Sequence, residues 1–391
     1  MCFAVTAGVC VANVYLAQPL LDSLASAFRV PPGAIGSVVT ATQAGSVLAL
    51  LLIVPLGDRC DRRRLMLLLA PGLVLALLAV ALARHYLVLL AAMAAVGALG
   101  TAMTQGLIAY AANAAGPHER GRVVGMTQSG VVVGLLLARV WAGALADGLG
   151  WRGVYLASAV LVAGVGLVVW RELPRLAGSP SSLPYLQLLR STVALLRTDP
   201  VLRRRGLLGA LLFAVFNIFW SPLALSLAGP PHSLSHAAIG AFGLLGALGA
   251  LGAGKAGRWT DRGWHRRTSI CALLLMAFAW LPLAGMPLSL WSLMLGVVLL
   301  DLGCQALHVT NQSLILGGPP ESHGRLIACY MLFYAVGSGA GALASTSVYA
   351  WAGWLAVCGL GAGVSLFALV FWWLCEAAPR PPTGGACALA P

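Results

Sequence analysis

Asp301, Gln305, His308 and Gln312 are spaced i, i+4, i+7 and i+11. That spacing lays a carboxylate, two amides and an imidazole along one helix face. The stripe sits in an apolar stretch, 289–316, with Asp301 about twelve residues from one end, near the middle of a bilayer-spanning segment. A carboxylate there is costly and marks function by default. Loss of water favours the protonated form of a carboxyl group, so Asp301 is the first candidate for taking up and releasing protons, with His308 next on the stripe. The competing uses are a structural hydrogen bond for Asp301 and simple packing for His308. Arg139 is the other charge inside an apolar run, 122–146. It shares a face with Gln128 and lies opposite the small residues Gly130, Gly134 and Ala138, a stripe suited to close helix packing. In the stretch "ANVYLAQPLLD" at 12–22, Tyr15, Gln18, Pro19 and Asp22 fall at i, i+3, i+4 and i+7. A helix facing only lipid has no use for such a face. Pro19 is expected to bend the helix, Asn13 to serve packing, and Asp22, nearer one end, to be solvated.

The elements that must hold these groups follow from composition. The 391 residues are 60% hydrophobic and 9% charged, with a mean hydropathy of +0.91; soluble domains carry about 25% charged residues. The chain is therefore a polytopic membrane protein. Its net charge of +13 does not indicate nucleic acid, because the basic residues sit in short clusters between apolar runs. Nine cysteines without CxxC or Cys/His pairing support neither a metal site nor a disulfide framework, and no cofactor is expected. The first stretch has no basic flank or small-residue cleavage site and reads as a retained helix rather than a signal peptide.

Apolar runs at 3–27, 34–57, 65–83, 86–113, 122–146, 152–170, 205–228, 237–257, 269–286, 289–316, 326–349 and 354–375 predict twelve transmembrane helices in an all-α membrane protein. Of 24 Lys and Arg residues, 20 lie after helices 2, 4, 6, 8 and 10 or in the C-terminal tail, and three (Arg29, Arg84, Arg152) on the opposite side. By the positive-inside rule both termini are cytoplasmic, in the inner or plasma membrane. The one long connection holds a short amphipathic piece with Tyr185, Leu188, Leu189 and Leu196. It is either a surface-lying helix or a plain linker helix.

The chain matches itself at an offset of 203. "PLLDSLA" at 19–25 answers "PLALSLA" at 222–228. Asp58-Arg59 answers Asp261-Arg262, and Pro117 and Arg122 answer Pro320 and Arg325. Gly134 answers Gly337, and Gly150-Trp151 answers Gly353-Trp354. This predicts two six-helix halves in parallel orientation, with a ligand near mid-membrane between them. The first half is placed at 1–170, a cytoplasmic linker at 171–204, the second half at 205–375 and a cytoplasmic tail at 376–391.

With these motifs the chain resembles the major facilitator superfamily over essentially its whole length. Its "VPLGDRCDRR" at 54–63 keeps Leu56, Asp58, Arg59, Arg62 and Arg63 of that family's loop signature, with Val54 and Asp61 in place of two glycines. The second copy, "GRWTDRGWHRR" at 257–267, keeps Gly257, Asp261, Arg262, Arg266 and Arg267. "QSGVVVGLLLARVWAGALADGLGWR" at 128–152 and "DLGCQALHVTNQS" at 301–313 resemble bacterial arabinose-efflux-like or drug:proton antiporters. The resemblance implies a cytoplasmic gate: Asp58 docking at Gly324-Arg325 and, by pseudo-symmetry, Asp261 at Gly121-Arg122, with Arg59, Arg62 and Arg262 in the same clusters. It also implies that helices 5 and 10 approach each other. Asp301 is then a candidate partner for Arg139, in a pair that protonation would break; an anion-binding arginine or a structural pair are the alternatives. Cavity candidates are Tyr15 and Gln18 on helix 1, Thr104 and Gln105 on helix 4, Asn217 and Trp220 on helix 7, Gln305 on helix 10, and Tyr330 and Tyr334 on helix 11.

Two nucleotide-like strings, "GALGAGK" at 249–255 and "GAGKAG" at 252–257, lack the strand such loops require and read as a glycine-rich helix. The expected activity is secondary active transport by alternating access: protons in, a neutral or amphipathic small molecule out. The alternatives are a gradient-driven facilitator and a non-transporting membrane sensor. No catalytic cluster suggests an enzyme. The partners expected are the small-molecule substrate, protons and the lipid bilayer, with no nucleic acid, and the chain is expected to be a monomer.

Overall fold

A computed structural model describes residues 2–115, 119–172, 184–316 and 323–377, which are almost wholly helical with no strand among them. The landmarks Pro117 and Pro320, most of the linker and the tail beyond 377 lie outside the described residues, as do the side chains of Asp58 and Asp261. Among the described residues nine helices are long and apolar enough to cross a membrane. They are Cys2–Phe28 (helix 1), Gly36–Gly57 (2), Arg62–Leu82 (3), Tyr86–Ala114 (4), Arg122–Arg171, Pro200–Ala228 (7), His265–Ala284 (9), Leu290–Ile315 (10) and His323–Cys375. The two longest break at Gly150 and Gly353 and supply helices 5 and 6, and 11 and 12. His236–Asp261 is helix 8, which completes twelve. The nucleotide-like strings lie within helix 8, with no strand before them.

Local chemistry sets the helix ends. Asp61 caps helix 3, its Oδ1 accepting the Arg63 amide at 2.8 Å. A residue that departs from the family's glycine thus starts a helix. Asp199 accepts the Leu202 amide at 2.9 Å, with Pro200 in the first turn of helix 7, a position where the missing N–H costs nothing. Helix 1 breaks where Pro19 removes a donor: a 3-10 turn, Gln18–Leu20, separates Cys2–Tyr15 from Leu21–Phe28. At Gly150 and Gly353 φ is 66° and 71°, a region that a Cβ disfavours.

The internal repeat is visible in packing. A Cβ on Gly134 would strike the Gly8 carbonyl of helix 1, and one on Gly337 the Ala210 carbonyl of helix 7. The same close crossing therefore recurs 203 residues on. Each half has its own large apolar cluster. Outward, Leu68, Leu87, Trp291 and Trp351 are exposed, an apolar surface suited to lipid.

The halves join along two seams on the Arg-poor side. Helix 2 meets helix 11, where a Cβ on Gly36 would strike Ala342 and Thr346 and Thr40 Oγ1 donates to the Gly339 carbonyl at 2.8 Å. Helix 5 meets helix 8, where a Cβ on Gly143 would strike the His236 carbonyl and one on Gly240 the Arg139 carbonyl. Direct hydrogen bonds between the halves run from mid-membrane to this side. On the Arg-rich side the linker helix, Tyr185–Thr198, touches both halves. Tyr185 donates to the Leu52 carbonyl at 2.7 Å, Arg325 donates to Ser191 at 3.4 Å, and Cys329 Sγ donates to the Thr192 carbonyl at 3.6 Å. Its buried Leu188 and Thr192 face protein.

Candidate functional site

Six of the residues singled out in the sequence, Tyr15, Gln18, Arg139, Asn217, Trp220 and Asp301, converge at mid-membrane. Arg139, on helix 5, is 2% exposed. Its Nε donates to Gln18 Oε1 at 3.0 Å, and Gln18 Nε2 donates to Asn217 Oδ1 at 3.0 Å. The break around Pro19 aims the Gln18 amide at both partners, so helix 1 is tied to helix 5 of its own half and helix 7 of the other. The guanidinium carbon stands 3.9 Å from the Trp220 ring centroid, 5.3 Å from Phe216 and 6.0 Å from Tyr15. A desolvated cation over an indole gains about 2 kcal/mol or more. On its other edge the indole Nε1 donates to Asp301 Oδ1 at 3.4 Å.

Arg139 and Asp301 therefore meet through Trp220 and not as a contact pair; the ion pairs within 4.0 Å do not include them. Arg139 Nη2 is buried without a partner. Beside it lies a void of about 10 Å³ lined by Gln18, Pro19, Trp220 and Ile239, with Arg139 itself on the wall. Helix 8 presents Gly246 to Asp301, where a Cβ would meet Oδ2. The site is thus two opposite charges, one from each half, on an aromatic bridge.

A second group lies one to two turns toward the Arg-rich side. His308 Nδ1 is 3.0 Å from the Tyr330 hydroxyl, and the two rings stack at 5.5 Å. Phe213 stands edge-on to His308 at 5.1 Å and 3.9 Å from Tyr334. A void of about 20 Å³ is lined by Leu135, Phe213, Phe216, Cys304, Gln305, His308 and Tyr334. Neither void exceeds a water molecule or so, and both are walled by both halves. Thr104 and Gln105 line neither of them, and Thr104 Oγ1 donates to the Gly100 carbonyl of its own helix. Asn13 likewise bonds its own helix, to the Val9 carbonyl at 2.7 Å.

Near the Arg-rich ends, Arg59, Arg122 and Arg262 are exposed. Arg62 donates to the Gly57 carbonyl at 2.7 Å and to the Ala109 carbonyl at 3.2 Å, holding the end of helix 2 against helix 4. The expected docking of Asp58 and Asp261 rests on side chains outside the described residues.

One expectation is corrected. Asp22 is not merely solvated: its Oδ2 lies 3.1 Å from His236 Nε2, and both side chains are about one-fifth exposed. His236 has no periodic signature in the sequence. It opens helix 8 immediately after the capping Ser235, and only the polar face ending at Asp22 hinted at a partner.

Comparison with known proteins places this geometry. The model of the family described as Major Facilitator Superfamily matches residues 3–256 and 234–386. The chain is 42% identical over 373 residues to the uncharacterized transporter YgaY of Escherichia coli O157:H7, covering 95% of this chain and 93% of the relative. It is 28% identical over 176 residues to the purine ribonucleoside efflux pump NepI of Escherichia coli K12, covering 43% and 42%. A bacterial homologue of the human lysosomal transporter Spinster, solved inward-facing and unoccupied, superposes with a TM-score of 0.77 at 16% identity, covering 96% and 95%.

Proposed function

The chain belongs to the Major Facilitator Superfamily, a multi-pass membrane transporter and not an enzyme, and on that premise we propose that it exports a neutral or amphipathic small molecule in exchange for protons. The observation that carries this reading is the pair of buried, opposite charges, Arg139 and Asp301, held on Trp220 across the two halves. In a dry site such charges attract strongly without touching. Protonating Asp301 removes the carboxylate's share of that attraction and loosens the helix 5–helix 7–helix 10 junction; releasing the proton restores it. Proton occupancy thereby biases which side of the protein is open, as alternating access requires.

The amides of Gln18, Asn217 and Gln305 and the rings of Tyr15, Phe213, Phe216 and Tyr334 suit a solute with flat apolar faces and a few polar edges. The similarity to a purine ribonucleoside efflux pump supports export. The charge distribution supports an inner-membrane location with the Arg-rich side and both termini cytoplasmic, and nothing in the reading needs more than one copy of the chain. Residues 1–170 and 205–375 are the moving halves, joined by 171–204. Asp58, Arg59, Arg62 and Arg122 with Asp261, Arg262 and Arg325 form the cytoplasmic gate.

The test is proton movement in reconstituted vesicles carrying an internal pH dye, with a panel of sugars, nucleosides and amphipathic compounds, for wild type beside Asp301→Asn. A compound that moves protons in wild type and not in the variant is the expected result. Compound-driven proton flux that survives the substitution overturns the role of Asp301. A compound that crosses without protons makes the protein a facilitator.

A further inference from the structure

At the Arg-poor mouth, three ionisable side chains from three helices meet. His236 is the first residue of helix 8 in the second half. Asp147 ends helix 5 just before the Gly150 break, and Asp22 follows the break in helix 1, both in the first half. The imidazole is held from both edges. Nε2 lies 3.1 Å from Asp22 Oδ2 and 2.9 Å from Ser23 Oγ, and Nδ1 lies 3.1 Å from Asp147 Oδ1. Each ring nitrogen faces a carboxylate, an acceptor only, so the form that satisfies both contacts is the doubly protonated imidazolium.

Asp147 does more than accept from the ring. Its Oδ1 takes the His236 amide at 2.9 Å and its Oδ2 the Ala237 amide at 3.0 Å. A carboxylate of the first half thus caps the positive end of a helix of the second. This cluster sits at the end of the glycine seam where Gly143 meets the His236 backbone. In the closed joint these three groups are in contact.

We propose that His236, between Asp22 and Asp147, is a proton-binding site at the outer mouth, separate from Asp301, and that its occupancy latches the two halves shut on that side. The groups that face His236 from the packed elements are Asp22 and Ser23 of helix 1 and Asp147 of helix 5. In its own loop, His232 bonds the Met286 carbonyl. Arg152, at the start of helix 6, donates to the Ala83 carbonyl and lies over Trp151. The charges around the imidazole are therefore both negative.

The hydrogen bond with Asp22 is the largest influence on His236 and raises its pKa above the ordinary imidazole value; partial burial works against it without reversing it. When the mouth opens the partners separate and the imidazole returns toward its ordinary value. The closed form thus binds the proton more tightly. Its extra stability is fully present below the ordinary imidazole pKa and is lost as pH rises through the raised one. Acid on this side holds the mouth shut, and alkali frees it. The proton returns to the side it came from, so the site gates the cycle without consuming the gradient.

The experiment is amide hydrogen exchange of the segment 233–241 in lipid nanodiscs from about pH 5.5 to about pH 9, a range spanning the imidazole titration, corrected for the intrinsic rate at each pH. Protection in the wild type is expected to step down with rising pH, by about tenfold for each unit by which closure raises the imidazole pKa. His236→Gln should flatten the profile at the unprotected level. Asp22→Asn should move the step to lower pH, a displacement that a merely structural contact would not produce. Asp301→Asn should leave the step in place, which separates this site from the coupling reading. A flat corrected profile in the wild type, or a step that persists in His236→Gln, overturns the proposal.

Discussion

The protein holds two charged clusters between its halves, built on opposite principles. At mid-membrane, Arg139 and Asp301 are almost fully buried and stand apart on either side of an indole. At the mouth, His236 touches both of its carboxylates, and the three side chains are about one-fifth to one-third exposed. Water explains the difference. Where solvent reaches, a contact pair is cheaper to form and cheaper to break. Where solvent is excluded, each charge carries a large desolvation cost. There an aromatic face and edge, together with the Gln18 amide, share the work that water performs elsewhere. A dry cluster changes state by gaining or losing a proton; a wet one also by simple separation.

That contrast can be broken or sharpened by substitution and by salt. The largest effect is expected at the bridge. Trp220→Ala removes both the face under Arg139 and the N–H on Asp301, and leaves a hole in a packed core. A loss of about 3–5 kcal/mol is expected, read as a fall in thermal unfolding temperature in lipid nanodiscs. Trp220→Phe keeps a face for the cation, drops the N–H on Asp301 and leaves a smaller hole, so it should cost about 1–3 kcal/mol, less than the alanine variant, while altering the pH profile of transport. A pH profile that Trp220→Phe leaves unchanged would show that the indole only fills space.

A smaller effect is expected at the mouth. Asp147→Asn keeps an acceptor for one of the His236 and Ala237 amides, whereas Asp147→Ala removes both and should cost about 1 kcal/mol more. Burial works to raise the Asp147 carboxyl, but the Ala237 and His236 amides and the His236 ring outweigh it and hold the group below its usual value. Its charge is therefore fully present at neutral pH, and both variants should shrink the pH step in exchange of 233–241. The smallest effect is that of salt. Between 0.1 M and 1 M the screening length falls from about 10 Å to about 3 Å. The step at the mouth should shrink, while the pH midpoint of Asp301-dependent proton flux should not move. A midpoint that tracks salt would make the mid-membrane cluster as wet as the mouth.

Much of the fold was legible because the bilayer imposes it. Apolar length counted the spans, and an offset of 203 announced the second half; Gly150 and Gly353 then took the same left-handed conformation in both. The stripe on helix 10 and the lone Arg139 pointed to mid-membrane because charge is rare and costly there. Pro19 was a readable bend. Asp22 was misjudged because its partner lies 214 residues away in a short loop-to-helix junction without periodicity. Trp220 could be assigned to a cavity but not to the space between two charges, since an aromatic residue in an apolar helix leaves no pattern. The linker helix was foreseen; its hold on both Leu52 and Cys329 was not.

By itself the sequence determined that this chain lies in a membrane as two repeated bundles, which residues are too polar for lipid, and which side carries the arginines. Each of these follows from composition and period along one chain. Only the tertiary structure decided which polar groups meet, that the opposite buried charges are bridged rather than paired, and that the seam is closed on the Arg-poor side. Those facts depend on the relative placement of two halves, and that placement is set by glycine contacts and single side chains hundreds of residues apart.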